Sequence, residues 1–326
     1  MKASLRTVLG ALVAGTGLWL ATAPASAQNF PGKPVRLVVP FAAGGGGDVL
    51  ARTLADKLKV RLNQPVVVDN RPGAGGIIGS EVVAKAPADG YTLLLNTPNL
   101  IMTRHMVARL PYDPIADLVP VAEVVRSQLW LAASSAATDA RTLADLVAQA
   151  KVKSDVFYGS VGPGSVGHLL GSGFVDAAGV KANHVPYKGG AQAILALVSG
   201  EVTFAVMDYV VLKPHVESGR VRLLGTFGSK RSPHAPDTPT LTEAGYPNLD
   251  IYSWAGLFAP SGTPAATVQR LAAEAKVVMA DPEVIAKFIS IGYEPGTLLL
   301  DDFAGVVRSD DARWGTIIRK AGVKLE

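Results

Sequence analysis

The sequence predicts an α/β protein with two doubly wound lobes and a cleft between them. Short apolar runs alternate with amphipathic helices along most of the chain, which is typical of parallel strands covered by helices. The chain has 326 residues, more than one hydrophobic core usually serves, and the alternation restarts near residues 125–131. We therefore assign residues 28–127 and 250–326 to lobe I and residues 128–249 to lobe II.

The first 27 residues have the pattern of a secretory signal peptide. Lys2 and Arg6 precede an apolar run over residues 8–21, and Ala25-Ser-Ala27 is an A-x-A cleavage site. A membrane anchor is the alternative, but the run is short for a span. We expect export, cleavage after Ala27 and a mature chain without a transmembrane helix.

The first half of the mature chain contains four predicted strands and three predicted helices. Leucines at every fourth position from Leu50 to Leu62 form one face of a helix. Thr142 and Asp145 form a capping box at the start of another. The predicted strands are at residues 35–40, 66–68, 92–96 and 121–125, and the predicted helices are at 49–62, 77–85 and 142–151.

The second half of the mature chain again alternates predicted strands and predicted helices. Thr263-Pro264 and Asp281-Pro282 are helix starts with proline at the first helical position. The last helices are expected to return to lobe I, since the termini of a domain often lie close together. The predicted strands are at residues 156–160, 185–187 and 203–207, and the predicted helices are at 168–178, 191–198, 263–279, 281–292 and 302–320.

Charge and composition exclude several classes of protein. Without Lys2 and Arg6, 29 of the 31 basic residues remain against 27 acidic ones, and no basic cluster with interleaved aromatic residues suggests nucleic acid as a partner. The chain has no cysteine, which excludes disulfides, thiolate metal sites and a cysteine nucleophile. His105, His184, His215 and His234 lack the H-x-x-x-H spacing of a metal site; we expect no metal and no cofactor.

Three glycine-rich loops each follow a predicted strand and precede a predicted helix. They span residues 41–48, 160–168 and 185–190. Ligands of open α/β sheets bind at the carboxyl ends of the strands, and the unpaired N–H groups of a helix N-terminus favour an anion. The alternative is that these glycines only form tight turns. Three such loops in two lobes favour an anion bound from both sides.

The second loop also contains Gly162-x-Gly164-x-x-Gly167, the spacing of a dinucleotide-binding loop. An Asp or Glu about 20 residues later should then bind the ribose, but residues 183–188 contain no acid. A nicotinamide cofactor is therefore disfavoured.

A secreted serine hydrolase is the rival function. Ser165 lies in a motif that differs from the G-x-S-x-G elbow only by Pro163, and His168 and Asp208 could complete a triad. Ser165 and His168 are too close in sequence for a good proton relay. We favour a helix cap or a ligand contact for Ser165 and a loop-orienting or ligand contact for His168. Asp208 could reach the cleft or cap the next turn, and Trp254, at the crossing between lobes, could be buried or line the cleft.

The chain resembles the Bug receptors, the extracytoplasmic solute-binding components of tripartite tricarboxylate transporters, along nearly the whole mature sequence. The shared motifs include Pro40-Phe41-Ala-Ala-Gly-Gly with Asp48, Asn70-Arg71-Pro-Gly73, Asp89-Gly90-Tyr91, Tyr158-Gly-Ser160-Val-Gly162, Gly164-Ser165, His168-Leu169, Val185-Pro-Tyr187-Lys-Gly189, Pro239-Thr240-Leu241 and Trp254-Ala-Gly256.

The resemblance implies a periplasmic-binding-protein fold of type II, a Venus flytrap that closes on a carboxylated ligand without covalent chemistry. It also implies a periplasmic location, and as partners the membrane subunits of a transporter or a sensor kinase; an orphan receptor with a regulatory role is the third possibility. We expect a monomer. The implied ligand-binding positions are Phe41, Ala42, Gly44, Gly46 and Asp48 in lobe I, and Ser160, Gly162, Gly164, Ser165, His168 and Asp208 in lobe II, with Tyr187 from the third loop.

The chain departs from its relatives at Gly46 and Gly47, where they often have Ser, Thr or Asn. The two glycines remove up to two side-chain donors, and we expect them to widen the pocket. The predicted ligand therefore has one carboxylate bound by the backbone and a bulkier or less polar remainder.

Overall fold

The computed structural model describes residues 30–325 as two lobes, each built on one β-sheet. The predicted signal peptide and its cleavage site lie outside the described residues. Within the described chain, no helix is both long enough and apolar enough to cross a bilayer.

Lobe I contains a six-stranded sheet with the strand order β11-β4-β10-β3-β1-β2. Its strands are β1 (Val35–Val39), β2 (Val66–Asn70), β3 (Thr92–Asn96), β4 (Leu118–Ser127), β10 (Ser253–Pro260) and β11 (Glu294–Pro295). The chain segments of lobe I also form the helices α1 (Gly46–Leu62), α2 (Ile77–Ala84), α3 (Asn99–Met106), α8 (Ala265–Met279), α9 (Pro282–Ser290) and α10 (Leu300–Ala321).

Lobe II contains a five-stranded sheet with the order β7-β6-β8-β5-β9. Its strands are β5 (Leu129–Ser134), β6 (Phe157–Ser160), β7 (Asn183–Pro186), β8 (Phe204–Asp208) and β9 (Val221–Thr226). Its helices are α4 (Leu143–Val152), α5 (Val166–Ala178), α6 (Gly190–Ser199) and α7 (Tyr209–Glu217). The prediction of a two-lobed α/β fold is confirmed. The exact residues at which the lobes begin and end stay a prediction.

Both sheets are mixed, which corrects the expectation of purely parallel sheets. Strand β1 is parallel to β2 and β3, but β10 runs antiparallel to both β3 and β4. In lobe II, β6 is parallel to β7 and β8, but β5 is antiparallel to β8 and β9. The antiparallel strands β4, β5, β9 and β10 flank the two chain crossings between the lobes, where the chain changes sheet without a covering helix.

The helical periodicity did not predict two of the helices. Helix α7 contains Pro214, a residue that normally ends a helix, and the short helix α3 begins after Pro98 without a side-chain cap. Five of the eight residues of α3 are nevertheless buried, so tertiary packing stabilises a segment whose local signals are weak.

One apolar cluster extends through both lobes. It joins Leu94 and Ile101 of lobe I to Tyr158 and Phe174 of lobe II, and it includes Trp314 of α10. Two further clusters lie on the outer faces, one beneath α1 and α8 and one beneath α6. Helix α10 packs against α3 and β4 of lobe I and against α5 of lobe II, so it is a third connection between the lobes.

Trp254 is buried at the start of β10 rather than lining the cleft. Its indole Nε1–H donates to the Asp310 carboxylate of α10 at 2.9 Å. Burial raises the pKa of Asp310 to about 6, and the hydrogen bond from Trp254 opposes that shift.

Asp310→Asn should stabilise the protein above pH 6. Between about pH 4 and pH 6 the native Asp310 retains a proton that the unfolded chain releases, so the free energy of unfolding falls as pH rises through this window. The amide oxygen of asparagine can still accept from Trp254 and does not titrate. At pH 8 the variant should be more stable by roughly 2 to 3 kcal/mol, and at pH 4 it should equal the wild type.

Denaturant unfolding at both pH values measures this difference. Asp237→Asn, at an exposed position whose side chain accepts no hydrogen bond from the described residues, is the matched control and should show no such pH dependence. Equal stabilisation of Asp310→Asn at pH 4 and pH 8 would contradict the assignment.

Candidate functional site

The structure places two of the predicted loops at the carboxyl ends of β1 and β6, each an interior strand of its sheet. Loop L1 (residues 41–48) follows β1 in lobe I, and loop L2 (residues 160–168) follows β6 in lobe II. Asp208 is the last residue of β8, the neighbour of β6. The two loops therefore lie where ligands of open α/β sheets bind.

Helix α1 begins at Gly46 without a side-chain cap. The N–H groups of Gly46, Gly47 and Asp48 donate to no other described residue, as expected for the first turn of an uncapped helix. They are the main-chain donors that L1 offers to an anion.

The Asp48 side chain organises L1 from within. Its buried carboxylate accepts from Gly44 N–H and Arg52 Nε, both at 2.9 Å, and from Asn70 Nδ2 at 3.0 Å. These interactions, with the Arg52 hydrogen bond as the largest cause, lower the pKa of Asp48 to about 2. Asp48 and Gly44 were predicted to contact the ligand, but the Asp48 carboxylate and the Gly44 N–H already have partners within the protein.

Asn70 also belongs to the support of L1, although the sequence did not single it out as a site residue. Its Nδ2 donates to the Phe41 carbonyl oxygen at 3.1 Å as well as to Asp48. The only available signal was its place in the Asn70-Arg71-Pro72-Gly73 motif.

That Gly46 and Gly47 widen the pocket stays a prediction, and the surroundings of the two glycines differ. A Cβ at Gly47 would stand 2.8 Å from the Phe41 ring, so the aromatic side chain already occupies the space beside this glycine. A Cβ at Gly46 would stand 3.5 Å from the Tyr293 hydroxyl oxygen. The Gly46 position therefore borders a tyrosine side chain that the sequence analysis did not connect with the cleft.

Loop L2 is held by its own polar side chains. The Ser160 Oγ accepts from Gly162 N–H at 3.2 Å, and Gly164 N–H donates to His168 Nδ1 at 3.0 Å. Ser165 is the N-cap of α5, because its Oγ accepts from His168 N–H at 3.2 Å. The structure thus brings the predicted residues of L2 together. The N–H groups of Gly162 and Gly164, however, already donate to side chains of the loop and are not free for a ligand.

The main-chain donors left in L2 belong to Val161, Val166 and Gly167, whose N–H groups donate to no other described residue. At Gly167 the first turn of α5 packs closely against β8, since a Cβ there would stand 2.4 Å from the Val206 carbonyl oxygen. The signal was present in the sequence, because the third glycine of the Gly162-x-Gly164-x-x-Gly167 pattern serves close helix–strand packing.

Two histidines stack behind L2. The rings of His168 and His184 lie 3.7 Å apart with an interplanar angle of 11°, and His184 Nε2 lies 2.7 Å from Ser160 Oγ. Burial lowers the pKa of both, that of His184 to about 4 with a further contribution from His168. Both rings are therefore neutral at pH 7, and His184, expected only as a surface or structural residue, supports the loop.

The third loop contributes less than predicted. The Tyr187 hydroxyl donates to the Glu201 carboxylate at 2.7 Å, and its ring lies over Gly159. This side chain runs back along the sheet instead of turning into the cleft. Tyr187 N–H donates to the Ser160 carbonyl oxygen, so Tyr187 supports L2 through its main chain.

The geometry does not assemble the triad of the hydrolase alternative. The Ser165 Oγ donates to the Gly162 carbonyl oxygen at 2.8 Å. His168 Nδ1 accepts a hydrogen bond from Gly164 N–H. Among the described residues, no hydrogen bond joins Ser165 to an imidazole ring or a histidine to Asp208. A relay needs both of those contacts.

Gly167→Ala should weaken the binding of the predicted carboxylated ligand at least tenfold. The added methyl group meets the main chain of β8, which cannot move as a flexible side chain does, so the first turn of α5 must shift. Overpacking of this kind also costs roughly 1 to 3 kcal/mol of stability. Isothermal calorimetry and denaturant unfolding measure the two effects.

Gly305→Ala is the matched control, because Gly305 is an exposed position of α10 where a Cβ meets open space. It should leave the affinity unchanged and leave stability unchanged or raise it by up to about 1 kcal/mol. Wild-type affinity in Gly167→Ala would show that the α5 N-terminus does not contact the ligand.

Comparison with known proteins agrees with this architecture. Protein BugT of Bordetella pertussis is 35% identical over 325 residues, covering 99% of this chain and 98% of the relative. A structure of an R. palustris protein with adipate is 35% identical with a TM-score of 0.77, covering 90% of this chain and 99% of the other.

A second structure, MatC from Rhodopseudomonas palustris with bound malate, is 29% identical with a TM-score of 0.72 and covers 89% of this chain and 100% of the other. The family model described as tripartite tricarboxylate transporter family receptor matches residues 50–323. The resemblance to the Bug receptors is confirmed: this chain belongs to the receptor family of the tripartite tricarboxylate transporters.

Proposed function

We propose that this protein is a periplasmic receptor that binds a small carboxylate between its lobes and delivers it to the membrane subunits of a transporter. The observation that carries the proposal is the pair of helix N-termini, α1 in L1 and α5 in L2, that present unpaired main-chain N–H groups at the cleft. One comes from each lobe, so a ligand that engages both stabilises the closed arrangement.

The electrostatics of the two loops suit an anion. Each helix N-terminus has a partial positive charge, and its free N–H groups point outward. The Asp48 carboxylate is buried and paired with Arg52, so its negative charge is compensated inside the loop. A carboxylate can therefore be bound by backbone donors without a dedicated cation.

The remainder of the ligand is expected to be bulkier or less polar than a small tricarboxylate. Two exposed aliphatic side chains support this: Val161 of L2 (42% exposed) and Val210 in the first turn of α7 (44%). Val161 lies within L2, and Val210 follows Asp208 by two residues. The R. palustris relatives with adipate and malate support an organic acid as the ligand class.

The location and the partner follow from the family and the amino terminus. The A-x-A site at Ala25-Ser-Ala27 supports export, and a receptor of this family works with membrane subunits of a transporter. Deleting the gene should abolish uptake of the acid that the purified protein binds, measured with labelled substrate in intact cells. Unchanged uptake would argue against delivery and point to sensing.

A thermal-shift screen of the mature protein against mono-, di- and tricarboxylates tests the ligand class. A ligand that binds only the folded form at 100 times its Kd adds about 2.7 kcal/mol of stability, so the melting temperature should rise by several degrees. Calorimetry on the hits gives Kd. Binding confined to tricarboxylates would contradict the proposed ligand, and no response to any carboxylate would contradict the function.

Ser165→Ala separates the receptor from a hydrolase. Because Ser165 caps α5, the variant should lose about 1 kcal/mol of stability and bind the same acid several-fold more weakly. Neither protein should hydrolyse esters or amides of that acid. Turnover by the wild type that the variant lacks would instead establish the hydrolase.

A further inference from the structure

The segment that follows α10 packs along the apolar cluster shared by the two lobes. Helix α10 ends at Ala321, and Gly322 turns the chain with a left-handed φ of 64°. The side chains of Val323 and Leu325 then pack against that cluster, whereas Lys324 between them is exposed. This alternation is typical of an extended segment with one apolar face.

The same segment is bonded to the end of α3. Leu325 N–H donates to the Met106 carbonyl oxygen at 2.9 Å, and Met106 is the buried last residue of α3. The last carbonyl groups of a helix have no partner within that helix, so this bond satisfies one of them. Leu325 is therefore fixed to lobe I by its main chain as well as by apolar packing.

Helices α3 and α10 are themselves tightly joined. His105 Nε2 lies 2.8 Å from Asp311 Oδ1, and Arg104 Nη1 lies 3.5 Å from Asp311 Oδ2. A Cβ at Gly315 would stand 2.8 Å from His105 Cε1, so the two helices approach closely at this point. Both attachments of segment 322–325, one to α10 and one to α3, thus belong to the same rigid contact.

Met106 and Leu325 both contact Gly164 of L2, across the boundary between the lobes. A Cβ at Gly164 would stand 2.9 Å from Met106 Sδ and 3.5 Å from Leu325 Cδ2. Gly164 is buried and has a left-handed φ of 71°, so the two apolar side chains lie directly on its main chain. Because Gly164 N–H donates to His168 Nδ1, this contact continues to the first turn of α5.

We propose that Met106 and residues 322–325 form a clasp that fixes L2 to lobe I and so positions the first turn of α5 relative to that of α1. Met106 and Leu325 are positioning residues in this assignment, because they act on the ligand site through Gly164. Their effect on binding rests on the proposed function, whereas the clasp itself can be measured without a ligand.

The clasp matters because the two sets of main-chain donors belong to different lobes. Those of α1 belong to lobe I and those of α5 to lobe II, so one ligand can accept from both only at one relative placement of the loops. A contact that limits the motion of L2 relative to lobe I reduces the conformational entropy lost on binding. Loosening the clasp should therefore weaken binding although no donor is removed.

Hydrogen exchange of the unliganded mature protein tests the clasp in the wild type, Leu325→Ala, Leu325→Met and Lys324→Ala. Leu325→Ala removes the side-chain atoms that reach Gly164, methionine can fill the same space, and Lys324→Ala changes the exposed neighbour. Mass spectrometry follows L2 and, as the reference in lobe II, α6. Calorimetry with adipate and malate, the acids bound by two relatives, gives Kd for each protein.

Exchange in L2 should be at least about threefold faster in Leu325→Ala, because local opening of the loop no longer breaks the contact with that side chain. Exchange in α6 should not change, which also shows that the variant is folded. The Kd of whichever acid binds the wild type should rise about threefold or more. Leu325→Met and Lys324→Ala should match the wild type in both measurements.

Unchanged exchange of L2 in Leu325→Ala would overturn the clasp, and so would an equal acceleration in α6, which indicates general destabilisation. Faster exchange of L2 with an unchanged Kd would overturn the positioning role. If neither acid binds the wild type, the positioning role falls together with the proposed ligand class, and the exchange of L2 alone decides whether the clasp exists.

Discussion

Helix α1 begins at the cleft without a side-chain cap, and α5 begins there with N–H groups that its Ser165 cap does not reach. Much of the surrounding structure serves to hold these two helix ends in place. Asp48, Asn70, Ser160 and His168 direct their hydrogen bonds into the loops themselves. Because these side chains have internal partners, they give the loops rigidity and leave the first-turn N–H groups free.

This arrangement explains why polar residues of the loops matter without contacting a ligand. A carboxylate side chain such as Asp48 in direct contact with an anionic ligand would repel it. Paired with Arg52 and Gly44, the same group fixes the turn before α1. The rigidity has an energetic role, since donors already held in their binding geometry lose little conformational entropy when a ligand arrives.

The connections between the lobes restrict how they can move relative to each other. The chain crosses between the lobes at Gln128 and again between β9 and β10. Helix α10 adds a third connection, because it packs on both lobes. An apolar cluster continues through the interface under α10, and the Trp254–Asp310 hydrogen bond attaches that helix to the start of β10. A closing motion must therefore bend at the crossings while α10 keeps or exchanges its contacts with α5.

Much of the architecture could be predicted from residue patterns. The strand β1, the helix α1 with its leucine face, the capping box of α4 and the proline-initiated helix α9 agree with local signals that do not depend on the rest of the chain. Helices α3 and α7 and strands β5, β9, β10 and β11 could not be found this way. Helix α3 and strands β5 and β10 depend on burial between other elements, whereas β9 and β11 are edge strands of their sheets and β11 is only two residues long.

The sequence by itself determined that glycine-rich loops follow strands in both halves of the chain, and motif spacing sufficed to identify the receptor family. Only the tertiary structure decided which atoms of those loops are free. A hydrogen bond such as Gly164 N–H to His168 Nδ1, or the packing of Phe41 beside Gly47, depends on side-chain directions that spacing does not encode. The close approach of Tyr293 to Gly46, and of Gly292 to Val210 across the lobes, joins distant parts of the chain, and such proximity arises only when the whole chain is folded.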